Sequence, residues 1–169
     1  FGLDYLKQVN KYDVVIKSPG IPLHVLKPYL KSKQILSSQT NIFFANFPGI
    51  IVGVTGTKGK STTSSLIYEV LKSGGARVHL AGNIGDPVLK FLTDAEENDV
   101  LVYELSSFQL EIATQSPHIA VFLNLYPEHL GIRQDQRTDR RVHAQAGVAA
   151  QSNPWTGRSW IGELGDIGP

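Results

Sequence analysis

Residues 50–71, IIVGVTGTKGKSTTSSLIYEVL, decide the reading of this chain. The first five are apolar or β-branched apart from Gly53, the composition of a strand covered on both faces of a parallel sheet. A glycine-containing turn follows, and Lys60-Ser61-Thr62 opens a stretch with helical periodicity. Strand, glycine turn and helix start together make a phosphate cradle. Gly56 and Gly59 let the backbone turn with its amides directed inward, the helix N-terminus adds unpaired N–H donors, and Lys60 supplies a point charge. Ser61 is placed for its hydroxyl to ligand a magnesium ion bridging phosphate oxygens. The loop is a variant of G-x-x-x-x-G-K-S/T, because Val54 stands where that pattern has its first glycine. The cradle comprises Gly56, Thr57, Lys58, Gly59, Lys60, Ser61 and Thr62, and a nucleotide polyphosphate suits it.

Outward from this loop, short apolar runs alternate with helix-like stretches between Tyr12 and about Leu125, the pattern of βαβ units on a parallel sheet. An α/β class follows. Strands are predicted at 14–17, 50–54, 77–81, 100–104 and 119–125. The helix after the loop shows Leu66, Ile67, Val70 and Leu71 at helical spacing and a stop at Ser73-Gly74-Gly75. A shorter helix is predicted from Asp86-Pro87, with Val88, Leu89 and Leu92 as its apolar face. Residues 43–49, with Asn46, Pro48 and Gly49, read as a connector. The expected division is therefore 1–48, the end of a first domain; 49–130, part of a central one; and 131–169, an irregular tail.

Composition excludes several classes of function. The chain has no cysteine, so disulfides, thiolate nucleophiles and cysteine metal sites are out, which suits a cytoplasmic protein. Lys and Arg number 16 against 15 Asp and Glu, so no strong electrostatics toward nucleic acid or membrane are expected. No run of eighteen apolar residues is present to span a bilayer. The chain starts at Phe1 and lacks methionine, which reads as a fragment. All lysines lie at or before Lys90, whereas every arginine but Arg77 lies at or after Arg133. Beyond Gly131 no helical or strand period survives, and RQDQRTDRR, diluted by Asp135 and Asp139, reads as a solvated segment rather than a phosphate or nucleic-acid patch.

TGTKGKSTT closely resembles the ATP loop of the Mur ligase family, which joins amino acids to carboxylates through an acyl phosphate. Three further stretches match in the same order: GNIG at 82–85, ELSSFQL at 104–110 and LNLYPEHL at 123–130. SSFQL is most like the members that add D-glutamate to UDP-N-acetylmuramoyl-L-alanine, and SPGIP at 18–22 is similar to the end of their UDP-binding domain. The resemblance implies ATP and Mg2+ as cofactors, those two compounds as substrates, a monomer, and no nucleic-acid or membrane partner. Folate-polyglutamate ligases are a related alternative, against which SSFQL argues.

Glu104 ends a buried strand at the sheet edge where ligands bind in open α/β folds, as a metal ligand or as a carboxylate capping the amides of Ser106 and Ser107. The resemblance assigns magnesium to Glu104 and His129, with Lys60 on the phosphates. It makes Asn83, Ser106 and Gln109 substrate contacts, and Phe108 packing. Asn83 also reads as a turn residue. Glu128 stands where the family commonly has aspartate; His24, His79, His118 and His143 match no motif. The family continues with aspartate and, farther on, a carbamylated lysine, but here Gly131 follows Leu130 and no lysine follows Lys90. A reading-frame change near Leu130 is expected, the alternative being a divergent tail on a non-catalytic ATP-binding remnant. On either account this chain alone is not expected to complete the reaction.

Overall fold

The computed structural model describes residues 4–82 and 86–124, so the expectations placed on Asn83, Glu128, His129 and the tail 131–169 lie outside the described residues. Helix α1 (Tyr5–Gln8) and a 3₁₀ turn at Val9–Lys11 precede strand β1 (Val14–Lys17). Helix α2 (Leu23–Leu26) and a second 3₁₀ turn, Lys27–Tyr29, lead to β2 (Ile35–Ser38). β1 and β2 form a two-stranded parallel sheet, with Val14 opposite Ile35 and Lys17 opposite Ser38. The sequence pattern did not mark β2: Ile-Leu-Ser-Ser offers only two apolar residues and Ile35 is exposed. Pairing with β1, not burial, makes it a strand.

Four strands make the second sheet: β3 (Ile50–Thr55), β4 (Val78–Ala81), β5 (Val100–Glu104) and β6 (Ile119–Phe122), all parallel, in the order β4-β5-β3-β6. The α/β class and its parallel sheet are as the sequence predicts. Helix α4 (Lys60–Ser73) carries the chain from β3 across to β4; β5 then fills the gap between them, and β6 adds to the other side of β3. β3 is thus central, and every residue in it after Ile50 is buried.

Helix α4 ends where predicted, in a Schellman motif: the Ala76 amide donates to Leu71 O at 3.1 Å and the Gly75 amide to Lys72 O at 3.0 Å. Its apolar residues divide, however. Ile67 and Leu71 are half-buried, Leu66 and Val70 are exposed, and the residue fully buried is Ser64. The helix expected from Asp86 is a 3₁₀ turn, Val88–Leu92, with Pro87 at its N-cap. Asp86 instead bridges to Ala81 and pairs with Lys90 at 2.9 Å.

The expected connector at 43–49 is largely helical. Helix α3 (Gln39–Asn46) follows β2 directly and is capped by Ser38, whose Oγ accepts from the Asn41 amide at 3.2 Å. Phe43, Phe44 and Phe47 are buried with Ile51, Leu101, Tyr103 and Leu105 in the main core. Their burial outweighs the turn preference of Asn46, Pro48 and Gly49. The Phe43 ring stacks on Phe47 with centroids 4.9 Å apart and meets Tyr103 edge-on at 5.9 Å.

Helix α5 (Ser107–Leu110) follows β5, and the residues just beyond it join the two sheets. Glu111 Oε2 lies 3.1 Å from Lys17 Nζ, with the Lys17 side chain almost wholly buried, and accepts from the Leu23 amide at 3.3 Å. Beside it, Asn41 Nδ2 donates to Ile112 O at 2.9 Å while Asn41 Oδ1 accepts from the Thr114 amide at 2.9 Å. Among the described residues no helix is long and apolar enough to cross a membrane.

Phe43→Ala is expected to lower unfolding stability by about 3–5 kcal/mol, read from the urea midpoint, because the vacated space is lined by other rings. Tyr103 gives a pH-dependent check. Burial pushes its phenol pKa above the ordinary 10.0, against hydrogen bonds with Thr40 and Gln109 that lower it. Below pH 10 folded and unfolded chains both hold the proton; above it the unfolded chain releases it first, so this contribution is lost as pH rises through the folded pKa. Tyr103→Phe should therefore lose less stability than wild type between about pH 8 and about pH 11, measured by urea titration at each pH.

Candidate phosphate-binding site

The carboxyl ends of β3, β5 and β6 meet at the loop 56–59. Backbone bonds continue past the strands: Leu105 N donates to Val54 O at 2.9 Å, Leu123 N to Thr55 O at 3.0 Å, and Thr55 Oγ1 donates to Leu105 O at 2.9 Å. The base of the loop is therefore held from both sides. Gly56 takes φ +142° and Gly59 φ +83°, values that L side chains rarely adopt. A Cβ on Gly56 would also sit 3.1 Å from both Asn124 O and Leu123 Cβ. Gly59 is the N-cap of α4 and offers no side-chain cap, so the amides of Lys60, Ser61 and Thr62 have no intrahelical acceptor. They carry the positive end of the helix dipole.

Lys60 folds back over this turn, its Nζ donating to Gly56 O at 2.8 Å and Thr57 O at 3.0 Å. Two of the three ammonium donors thereby fix the lysine above its own loop. Lys58, Gly59, Ser61 and Thr62 are exposed and Thr57 is half-buried, so the loop opens to solvent. The structure brings together all seven sequence-predicted residues from Gly56 to Thr62.

Glu104 ends β5 and pairs in register with Val54 of β3. It is buried, at 2% exposure, and its Oε2 has no hydrogen-bond partner among the described residues. A buried carboxylate oxygen without a partner is costly, and it fits a hard cation or a donor brought by a ligand. Gly82, after β4, makes room for it: a Cβ there would fall 2.7 Å from Glu104 Cβ and 2.4 Å from Glu104 O. Among the described residues no group of three His, Asp or Glu side chains is placed to hold a metal ion; His129, the ligand expected beside Glu104 and Ser61, lies outside them.

Ser106 and Gln109, expected at the substrate, are engaged with each other. Ser106 caps α5 by accepting from the Gln109 amide at 3.3 Å, and Gln109 Oε1 accepts from Ser106 N at 2.8 Å and from Ser106 Oγ at 2.9 Å. Gln109 Nε2 donates to the Tyr103 hydroxyl at 3.3 Å. This reciprocal capping box sets the direction of α5 as it leaves Glu104. Sequence reading missed Asn124 as part of the site. Its position at the carboxyl end of an apolar strand was the available signal.

The amino ends of the same strands carry a different kind of chemistry. Asp99, fully buried, accepts from Glu96 N at 3.1 Å and lies 3.3 Å from His79 Nε2 and 3.0 Å from Arg77 Nε. Arg77 also pairs with Glu96, and that bond first, with the nearby carboxylates, holds its pKa above the usual value. At that end the buried acid faces the cation of Arg77, while at the carboxyl end Glu104 has no ion-pair partner among the described residues and the donors of the loop are exposed.

Residues 54–138 match the Mur ligase middle domain. The chain is 37% identical over 138 residues to UDP-N-acetylmuramoylalanine–D-glutamate ligase of Clostridium botulinum strain Hall, covering 79% of this chain and 30% of that protein. It is 41% identical over 138 residues to the enzyme of the same name from Exiguobacterium sibiricum, covering 80% and 31%. The chain thus spans about a third of the length of these relatives. A solved structure, the MurF ligase of Thermotoga maritima in complex with ADP, is similar at 22% identity and a TM-score of 0.45, over 85% of this chain and 41% of that one. With strand, loop and helix in the order described and over half of its length matched, this chain belongs to the Mur ligase family.

Proposed function

We propose that this chain is the nucleotide-phosphate-binding part of an ATP-dependent ligase that adds D-glutamate to UDP-N-acetylmuramoyl-L-alanine in peptidoglycan precursor synthesis. The observation that carries it is that the neighbouring ends of β3 and β5 bear both Lys60, anchored on the loop carbonyls, and a buried oxygen of Glu104 without a hydrogen-bond partner among the described residues. The choice of D-glutamate rests on the names of the relatives at 37% and 41% identity.

In this reading the substrate carboxylate attacks the γ-phosphorus of ATP, releasing ADP and forming an acyl phosphate. The amine of D-glutamate then attacks the acyl carbon and phosphate departs. Residues of this chain position and neutralise, since neither step needs a nucleophile from the protein. The first amides of α4 donate to phosphate oxygens, and the Lys60 ammonium offsets charge on the transferring group. Glu104 Oε2 and Ser61 Oγ would hold Mg2+, which when bound draws electron density from phosphate oxygens. Ser106 and Gln109 act by fixing the turn after Glu104, and through it whatever substrate group meets that turn. The division into 1–48, 49–130 and 131–169 belongs to the same proposal, with the SPGIP turn serving the UDP-bearing substrate.

Lys60→Ala should abolish measurable ATP binding by calorimetry; unchanged affinity would rule out the loop assignment. Glu104→Gln should remove the magnesium dependence of ATP affinity while leaving the metal-free protein as stable as wild type or more so, since a buried unpaired charge is lost. A marked loss of metal-free stability would instead make Glu104 a structural acid.

A further inference from the structure

Asn124, just past β6, makes three contacts with the loop, and no motif assigned it a role. Its Oδ1 accepts from the Lys58 amide at 2.9 Å, its Nδ2 donates to Lys58 O at 3.0 Å, and its own carbonyl accepts from the Thr57 amide at 3.0 Å. The side chain thus pairs with the backbone of one loop residue as a second peptide group would. An asparagine carboxamide suits this, because it presents a donor and an acceptor side by side on a short stem, whereas aspartate lacks the donor and glutamine sets the amide one carbon farther out. On the opposite side, Lys60 Nζ binds the carbonyls of Gly56 and Thr57. The peptide units from 56 to 58 are therefore held between β6 and Lys60, and Gly56 is the residue that lets β6 come this close.

We propose that Asn124 is a positioning residue for phosphate binding: it locks the backbone of Lys58 to the end of β6 and so presets the loop that receives the nucleotide. This rests on reading residues 56–62 as a phosphate loop. The amide of Lys58 is committed to Asn124 and that of Thr57 to the Asn124 carbonyl, so the donors that meet an incoming polyphosphate are the first amides of α4. Their direction is set by where Asn124 holds the preceding turn. Without the carboxamide, ordering of residues 57–59 is deferred to the binding event and weakens it.

The test measures affinity for a fluorescent ATP analogue and for inorganic tripolyphosphate in the full 169-residue chain, together with the ligand-free melting temperature. Wild type, Lys60→Ala, Asn124→Leu and Asn124→Ala are compared. Leucine keeps the branched skeleton of asparagine and removes both hydrogen bonds; alanine covers the case in which the larger leucine does not fold. The expected result is an affinity loss of about tenfold or more for both ligands in either Asn124 variant, as two hydrogen bonds require. Tripolyphosphate separates positioning from general loosening, because a variant that is merely less stable melts earlier yet binds tripolyphosphate normally well below its melting temperature. Affinity within twofold of wild type in an Asn124 variant, with Lys60→Ala still binding poorly, overturns the role of Asn124 alone. Indifference of ATP affinity to Lys60→Ala overturns the loop reading beneath it.

Discussion

The pairing of β3 on both edges, with β5 on one side and β6 on the other, is the constraint from which the site follows. A central parallel strand has its backbone groups satisfied along its length and both faces covered, and only its carboxyl end remains to be terminated. Here each neighbour takes part in that termination. The residue after β5 bonds to Val54 O and that after β6 to Thr55 O, so the loop begins from a base that is already fixed. A loop on an edge strand would have one flank open.

The two ends of the sheet follow opposite rules. At the amino end Asp99 is surrounded by Arg77, His79 and the Glu96 amide, its Oδ1 facing Arg77 as an ion pair without a hydrogen bond, and β3 is tied in by the Ile50 amide donating to Asp99 O at 2.8 Å. At the carboxyl end Glu104 is buried with an oxygen that has no hydrogen-bond partner among the described residues, and α4 opens with a residue that has no side chain to cap it. A folding optimum would fill both gaps. Leaving them open costs stability locally, and the aromatic cluster of Phe43, Phe47 and Tyr103 behind β5 offsets it.

Much of this was legible in the sequence because the relevant signals are local. Glycines at 56 and 59, the lysine after them and the apolar run before them lie within a dozen residues, and the helix stop at Gly74-Gly75 is a backbone motif of its own. What escaped depended on partners distant in sequence. β2 is a strand because β1 lies beside it, and α3 with the Phe47 that follows it is drawn in because Phe43, Phe44 and Phe47 pack on the core around Tyr103. The capping of Ser106 and Gln109 on each other, beside the substrate role that their motif position suggests, becomes visible only once α5 is seen to start between them. Asn124 was quoted within a motif but given no part, since its partner Lys58 is 66 residues away.

Glu111 links two parts of the molecule that are otherwise separate sheets. One carboxylate oxygen takes both Lys17, before the SPGIP turn, and the Leu23 amide, after it. That turn is strapped at its two feet to the segment that begins at Glu104, and the chain between Glu104 and Glu111 behaves as a ruler of fixed length. Inserting or deleting a single residue in it would rotate Glu111 by about 100° around α5 and shift it about 1.5 Å along the axis. The strap would then miss both feet. In lineages that carry this geometry, the segment should tolerate changes of residue far better than changes of length.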